Sequence, residues 1–349
     1  MRFRSTTTTA VLATAAVALV AGCSGGSTST AVPAGGSSIG APAATTAGRT
    51  ALSLKRYALT GNRTGIDPKF PLKAHLAPAA ILPPTNSAYK ELAVADVGSG
   101  AVEILGPSFH TKSTITSGLD GPDGDWIDTS KNLYVANYEG IDVQEYAAGS
   151  TTPTFTYSAG LVDPIEVTTD KAANVYVGDF EGAFVAEYAQ GSNTMSNECS
   201  PGGLVEGIAV DSSSNVFVSY YNENTGSGSL VEYVGGLKGC SATALAPTFL
   251  FPGGMTFAKD GTTLLAADQE AGVDVIPKPY TSITATITGA SDTFHIAVTK
   301  YNHLLFITDP GNADVYVANY PSGTEYTTLG SANGLVDPYG VATYEIGKL

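Results

Sequence analysis

Six short segments along the chain share one pattern of apolar and polar positions. They are LAVAD from Leu92, LYVAN from Leu133, VYVGD from Val175, VFVSY from Val216, LLAAD from Leu264 and LFITD from Leu305, spaced by 41, 42, 41, 48 and 41 residues. Each is a run of β-branched, aromatic or aliphatic residues that ends in a polar one, the mark of a strand running into a turn. Both faces of these segments are apolar or aromatic, which requires both to be covered. About eight to twelve residues later comes a second strand, most alike in VQEYA (Val143), VAEYA (Val185) and LVEYV (Leu230). A Thr-rich third strand follows, as in TPTFTYS and TATITG. A further strand precedes each LYVAN-type segment, clearest in GIAVD at Gly207. No stretch keeps a helical period.

The pattern predicts four antiparallel strands per unit of about 41 residues, stacked face to face as blades of a propeller. The ends of the chain give the count. In complete units the Pro of a Gly-Leu-x-x-Pro-type turn precedes the LYVAN-type strand by eleven residues, as Pro122 does Leu133 and Pro164 does Val175. Pro338 plus eleven reaches Leu349, where the sequence stops, while the strand at Leu92 has no clear partner ahead of it. GVATYEI, from Gly340, therefore supplies the innermost strand of the blade begun at Leu92. The expectation is an all-β, six-bladed β-propeller over residues 91–349, closed by the C-terminal strand pairing with the first N-terminal one. Such closure hides two strand edges.

VEGIAVDSSSNVFVSY (Val205 to Tyr220) and GNADVYVANY (Gly311 to Tyr320) echo the Pro-x-Gly-Ile-Ala-Val-Asp and Gly-Asn-x-Tyr-Val-Ala-Asp strings of NHL-repeat propellers, and residues 91–349 resemble that family. The chain also resembles secreted, repeat-bearing bacterial lipoproteins of mostly unassigned function. Related six-bladed folds include the SMP-30 and gluconolactonase-like enzymes, and that likeness implies a calcium ion on the axis and lactone hydrolysis. The lactonase set of Glu, Asn and Asp does not map onto this chain residue by residue.

The first 90 residues are of another kind. Arg2 and Arg4 precede a short apolar run, Ala10 to Ala21, too short to span a bilayer. Leu19-Val20-Ala21-Gly22-Cys23 resembles a bacterial lipobox, which implies a signal peptide over 1–22 and lipid on Cys23. Residues 23–50 are almost entirely Gly, Ser, Thr, Ala and Pro, the composition of a flexible tether. Residues 51–90 read as an extended lead-in, partly ordered against the domain. The expected address is the cell envelope, extracytoplasmic, with the membrane as a partner through the lipid. Without residues 1–22 the chain carries 15 basic against 32 acidic residues, a net charge of −17. That argues against nucleic acid as a partner.

Where the repeat places Gly in the strand nearest the axis, the chain has Gly124, Glu166, Gly207, Gly254, His295 and Gly340. Glu166 and His295 break the pattern and bring ionisable groups to the axis. Turns nearby add Asp123, Asp125, Asp163, Glu206, Asp292 and Asp337. These make the channel mouth, on the face of the turns that lead into the innermost strands, the expected ligand site. The LYVAN-type strands end in Asp96, Asn137, Asp179, Asp268 and Asp309. Such residues cap turns by accepting backbone amides, and their recurrence suits a turn device. They could also join Glu166 in holding Ca²⁺, which takes six to eight oxygens; Glu166, Asn137 and Asp179 form the candidate set. Trp126 reads as packing, and Tyr146, Tyr188 and Tyr233, at one repeat position, as core between blades. His75, His110 and His303 have no metal-ligand spacing.

Cys199 and Cys240 lie 41 residues apart, one repeat. An oxidising compartment favours a disulfide. Equivalent positions in neighbouring blades are on the order of 20 Å apart, against the 7 Å a disulfide tolerates. Seven residues inserted near Cys240 break that equivalence, so the sequence leaves the bridge open. Three readings of function stand: a binding or protein-interaction module, a calcium-dependent lactonase-like hydrolase, and an envelope scaffold without a small ligand.

Overall fold

A computed structural model describes residues 89–299, 301 and 303–345. The signal peptide, Cys23, the tether and most of the lead-in lie outside the described residues. Twenty-four strands form six four-stranded antiparallel sheets. Blade 2 is β4 (Pro122–Ile127), β5 (Leu133–Asn137), β6 (Asp142–Tyr146) and β7 (Phe155–Tyr157). Blade 3 is β8 (Pro164–Thr169), β9 (Val175–Asp179), β10 (Phe184–Tyr188) and β11 (Met195–Cys199), and blade 4 is β12 (Leu204–Val210), β13 (Val216–Asn222), β14 (Ser227–Tyr233) and β15 (Ala242–Phe249). Blade 5 is β16 (Pro252–Phe257), β17 (Thr263–Asp268), β18 (Gly272–Pro277) and β19 (Ala285–Ile287), and blade 6 is β20 (Ile296–Val298), β21 (Leu304–Asp309), β22 (Asp314–Asn319) and β23 (Thr324–Leu329).

Blade 1 is composite. Its order is β24 (Pro338–Glu345), β1 (Tyr89–Asp96), β2 (Ala101–Leu105), β3 (Thr111–Ile115). The C-terminal strand lies antiparallel to β1, with Leu92 opposite Thr343, Val94 opposite Val341 and Ala95 opposite Gly340. The inner strands touch in the cycle β24, β4, β8, β12, β16, β20 and back to β24. The ring closes as the ends of the sequence required.

Successive side chains of a strand point to opposite faces, and here each face meets a different neighbour. Leu133 and Val135 of β5 pack into the junction of blades 1 and 2, whereas Tyr134 and Ala136 pack into that of blades 2 and 3. Phe306 of β21 (Leu304–Asp309) faces blade 1, and Leu305 and Ile307 face blade 5. Six hydrophobic clusters result, one at each junction. LYVAN-type strands apolar on both faces are the consequence, since they have no solvent face. Tyr146, Tyr188 and Tyr233 are fully buried in these junctions, as the repeat implied. The hydroxyls of Tyr146 and Tyr188 donate to the Ser117 and Ala159 carbonyls, both in loops between blades.

Cys199 and Cys240 are bridged, with Cα atoms 5.3 Å apart. The objection from repeat geometry fails because the two positions are not equivalent. Cys199 ends the outermost strand of blade 3, and Cys240 lies in the long β14–β15 turn of blade 4. That turn reaches back toward blade 3, and its Leu237 is buried in the cluster that also contains Cys199.

Because β24 covers one edge of β1 and contacts both neighbouring inner strands, its loss opens the ring. Deleting residues 338–349 is expected to abolish the single cooperative melt and give aggregates. Circular dichroism melting and size-exclusion chromatography check this.

Candidate functional site

The six inner strands meet at the axis closely enough that side chains there are restricted. A Cβ on Gly207 would stand 2.3 Å from the Gly253 carbonyl oxygen, and one on Gly340 would stand 2.1 Å from that of Asp123. Glycine at these repeat positions therefore lets neighbouring backbones touch. The two blades without it, 3 and 6, face each other across the axis. Glu166 extends past Gly254 and bonds His295, Oε1 to Nε2, at 3.0 Å. Both residues are buried, at 3% and 5% exposure. The second ring nitrogen of His295, Nδ1, accepts the Val341 amide at 3.2 Å. Nδ1 is thus unprotonated in this arrangement, and Nε2–H donates to the Glu166 carboxylate.

The charges around this pair are mostly negative. Burial raises the Glu166 carboxyl, which His295 partly offsets. Burial by itself would lower His295, but Glu166, Asp125 and Asp123 outweigh it and bring the ring to about 9. The Val341 amide opposes that second proton, since protonation at Nδ1 would break its bond. Asp125 is fully buried, and apart from its own amide neither carboxylate oxygen has a hydrogen-bond partner. Burial pushes it well up; His295 lowers it, and Glu166 and Asp123 raise it further. A carboxyl in such a place holds its proton more tightly than a solvated one.

The structure brings Glu166, His295 and Asp125 together, with Asp123 near enough to act on all three, and places Asp163, Glu206 and Asp337 elsewhere at the mouth. Asp163 and Asp337 lie in the loops that lead into β8 and β24, with their backbone amides held by Asp179 and Asp96. Glu206 is buried near the start of β12. The mouth itself is filled: Asp123, Ile165, Glu206, Phe294 and Tyr339 are all buried, and the Phe294 and Tyr339 rings meet edge to face at 4.8 Å. The open cavity lies on the opposite face. There a funnel of about 490 Å³ is lined near the axis by Ile208, Met255, Ile296 and Val341, with Glu166 and His295 at its inner end. Trp126 forms part of its wall and donates from Nε1 to Thr169 Oγ1 at 2.9 Å. Lys131, Lys171 and Lys259 stand at its rim.

Strand-end acids serve the turns. Asp179 accepts the Val162, Asp163 and Gly182 amides, and Asp268 accepts those of Leu250 and Phe251. Asp309 takes Ser291 and Asp292, Asp96 takes Val336 and Asp337, and Asn137 Oδ1 takes Asp120. In five blades, then, this one residue clamps the loop arriving from the previous blade. Asn137 also donates to the Gly118 carbonyl and to Asp142. The candidate calcium ligands Asn137, Asp179 and Glu166 are thus each committed to separate partners. Among the described residues no group of three His, Cys, Asp or Glu side chains is arranged to hold a metal ion. His110 and His303 are exposed in turns, and His75 lies outside the described residues.

The funnel and its lysines escaped the sequence reading. Their signal was the Asp-x-x-x-Asn turn at Asp128/Asn132, Asp170/Asn174 and Asp211/Asn215. In each turn the Asp accepts the Asn amide at 2.8–2.9 Å. The repeat marks the turns that leave the inner strands, and these form the funnel rim.

No family model matches the chain, and no curated protein matches it in sequence. A chain from a crystal structure of a nidogen/laminin complex is similar in fold, with a TM-score of 0.61 at 15% identity, over 72% of this chain and 97% of that one. Fold and comparison together define a six-bladed β-propeller.

Replacing Glu166 by Ala would leave the His295 Nε2–H buried without a partner. A loss of about 1–3 kcal/mol is expected, and less for Glu166→Gln, which keeps an acceptor; urea denaturation measures both. Burial, ahead of neighbouring carboxylates, brings Asp337 to about 6 and Asp314 to about 8, and burial brings Asp179 to about 6 against its amide bonds. Acids raised in this way bind protons more tightly folded than unfolded, so their contribution favours folding at low pH and fades as pH rises from about 4 to 8. The melting temperature is expected to fall by on the order of 5 °C between pH 5 and pH 9. In Asp314→Asn the part of that fall above pH 6 should shrink.

Proposed function

We propose that this protein is a binding module of the NHL-like propeller type, held outside the cytoplasmic membrane by lipid on Cys23, with a protein as its partner. One observation carries the reading. Glu166 and His295, which replace glycine at the axis, are buried and bonded to each other, and the strand-end acids are consumed as turn clamps. The chemistry legible in the repeat thus serves to hold a ring, and the loops are left as the functional surface. The chain similar in fold comes from a complex of nidogen with laminin, which lends support to a protein partner. The Ala-Gly-Cys string and the 23–50 tether support the anchor and the address in the cell envelope.

A second reading places a small ligand in the funnel, favoured by its size and by the Glu166–His295 pair at its inner end. A hydrolase would use that pair as its acid and base, and it draws no support from the calcium set, whose members have other partners.

In detergent phase partitioning, the wild-type chain expressed in a bacterial host should enter the detergent phase and Cys23→Ser the aqueous phase. Retention of Cys23→Ser in the detergent phase would overturn the anchor. Turnover of a lactone and ester panel that disappears in folded Glu166→Gln would replace the binding reading with the enzymatic one.

A further inference from the structure

The two faces of the ring differ in charge. One face carries the loops between blades together with the β1–β2, β5–β6, β9–β10, β13–β14, β17–β18 and β21–β22 turns. None of these twelve connections contains Lys or Arg. They contain eight acids, of which Asp120, Glu139, Glu223 and Glu270 are exposed. All seven described lysines lie toward the other face, in its turns (Lys131, Lys171, Lys238, Lys259, Lys278) or at the strand ends there (Lys90, Lys112). The acidic face is also partly apolar. Leu250 and Val336 are 59% and 56% exposed, and half-buried Tyr221 stacks on Phe251 at 4.6 Å. Within it Gln269 is buried, its Nε2 held by the Pro252 carbonyl, and its Oε1 has no hydrogen-bond partner. A buried acceptor left in that state is costly unless a donor reaches it.

The chain itself carries a complement. All five of its arginines precede residue 64, and all but one of its 32 acids follow residue 90. Between Arg49 and Lys73 stand Arg49, Lys55, Arg56, Arg63, Lys69 and Lys73 against a single acid, Asp67. Apolar residues neighbour these cations in Leu54-Lys55-Arg56-Tyr57 and Lys69-Phe70-Pro71-Leu72-Lys73. We infer that the basic segment Arg49–Lys73 docks on the acidic, lysine-free face of its own propeller.

The length suffices. Tyr89 begins β1 at the side away from that face, and the eight residues of β1 cross the ring in about 26 Å. The sixteen residues from Lys73 to Tyr89 reach about 50 Å when extended, enough to pass round the edge of blade 1. Tethering raises the local concentration of the segment to roughly the millimolar range, so that modest ion pairs suffice. Lys and Arg stems would lie along Leu250, Val336 and Tyr221, and a backbone or side-chain N–H would meet Gln269 Oε1. The inference requires neither the lipid anchor nor an outside partner, so it can fail while the binding reading stands. If both hold, a partner at this face must first displace the segment.

Carbodiimide cross-linking of the full chain in detergent, read by peptide mass mapping, tests this. At about 50 mM salt, Lys55, Lys69 or Lys73 should join Glu139, Glu223 or Glu270, with a yield unchanged by tenfold dilution and falling several-fold at about 500 mM. The triple variant Glu139→Gln, Glu223→Gln, Glu270→Gln changes only exposed positions. It should keep the wild-type melt and lose these cross-links. In the unmutated chain, hydrogen exchange of residues 49–73 should speed up at high salt. Cross-links confined to the lysine-bearing face, a yield that falls on dilution and so reports a second copy, or no cross-links from the segment would each overturn the inference.

Discussion

Six inner strands must approach one axis until their backbones touch, and the rest of the structure follows from that approach. It makes glycine necessary at Gly207 and Gly340, where a Cβ would run into a carbonyl of the next strand. It leaves room for only a few larger groups. Glu166 and His295 use that room, and they do so from opposite blades, so that one hydrogen bond spans the axis. Buried polar groups are tolerable when each finds a partner. Here the Val341 amide, the ring and the carboxylate satisfy one another in series.

Closure at the axis has its counterpart at the junctions. No blade has a solvent face of its own, and each apolar cluster is shared by two blades. The loops that carry the chain from one blade to the next must therefore be placed accurately. In five blades a strand-end Asp or Asn does this by accepting amides of the incoming loop, and buried Tyr hydroxyls hold two of the same loops through a carbonyl. Blade 4 has Tyr220 at the clamping position, and there the covalent bridge from Cys199 to Cys240 joins the neighbouring blades instead.

The same architecture separates charges. Antiparallel strands send their connections alternately to two faces, so a bias in the composition of alternate loops becomes a bias between faces. Burial first, and neighbouring acids second, hold Asp314 and Asp337 above the usual carboxylate range. The lysines gather around the funnel on one face.

The repeat and its truncated last copy determined the blade number, the four-stranded unit and the closing strand, because strand period and two-sided burial are written locally in residues such as Leu133 to Asn137. Glu166 and His295 could be found as breaks in a repeated glycine, for the same local reason. Their mutual bond, 129 residues apart in sequence, could not. Neither could the Cys199–Cys240 bridge, which depends on how far a seven-residue insertion bends back, nor the filled mouth and the open funnel. Those features depend on which side chains from six separate strands meet in three dimensions, and only the tertiary structure decides that.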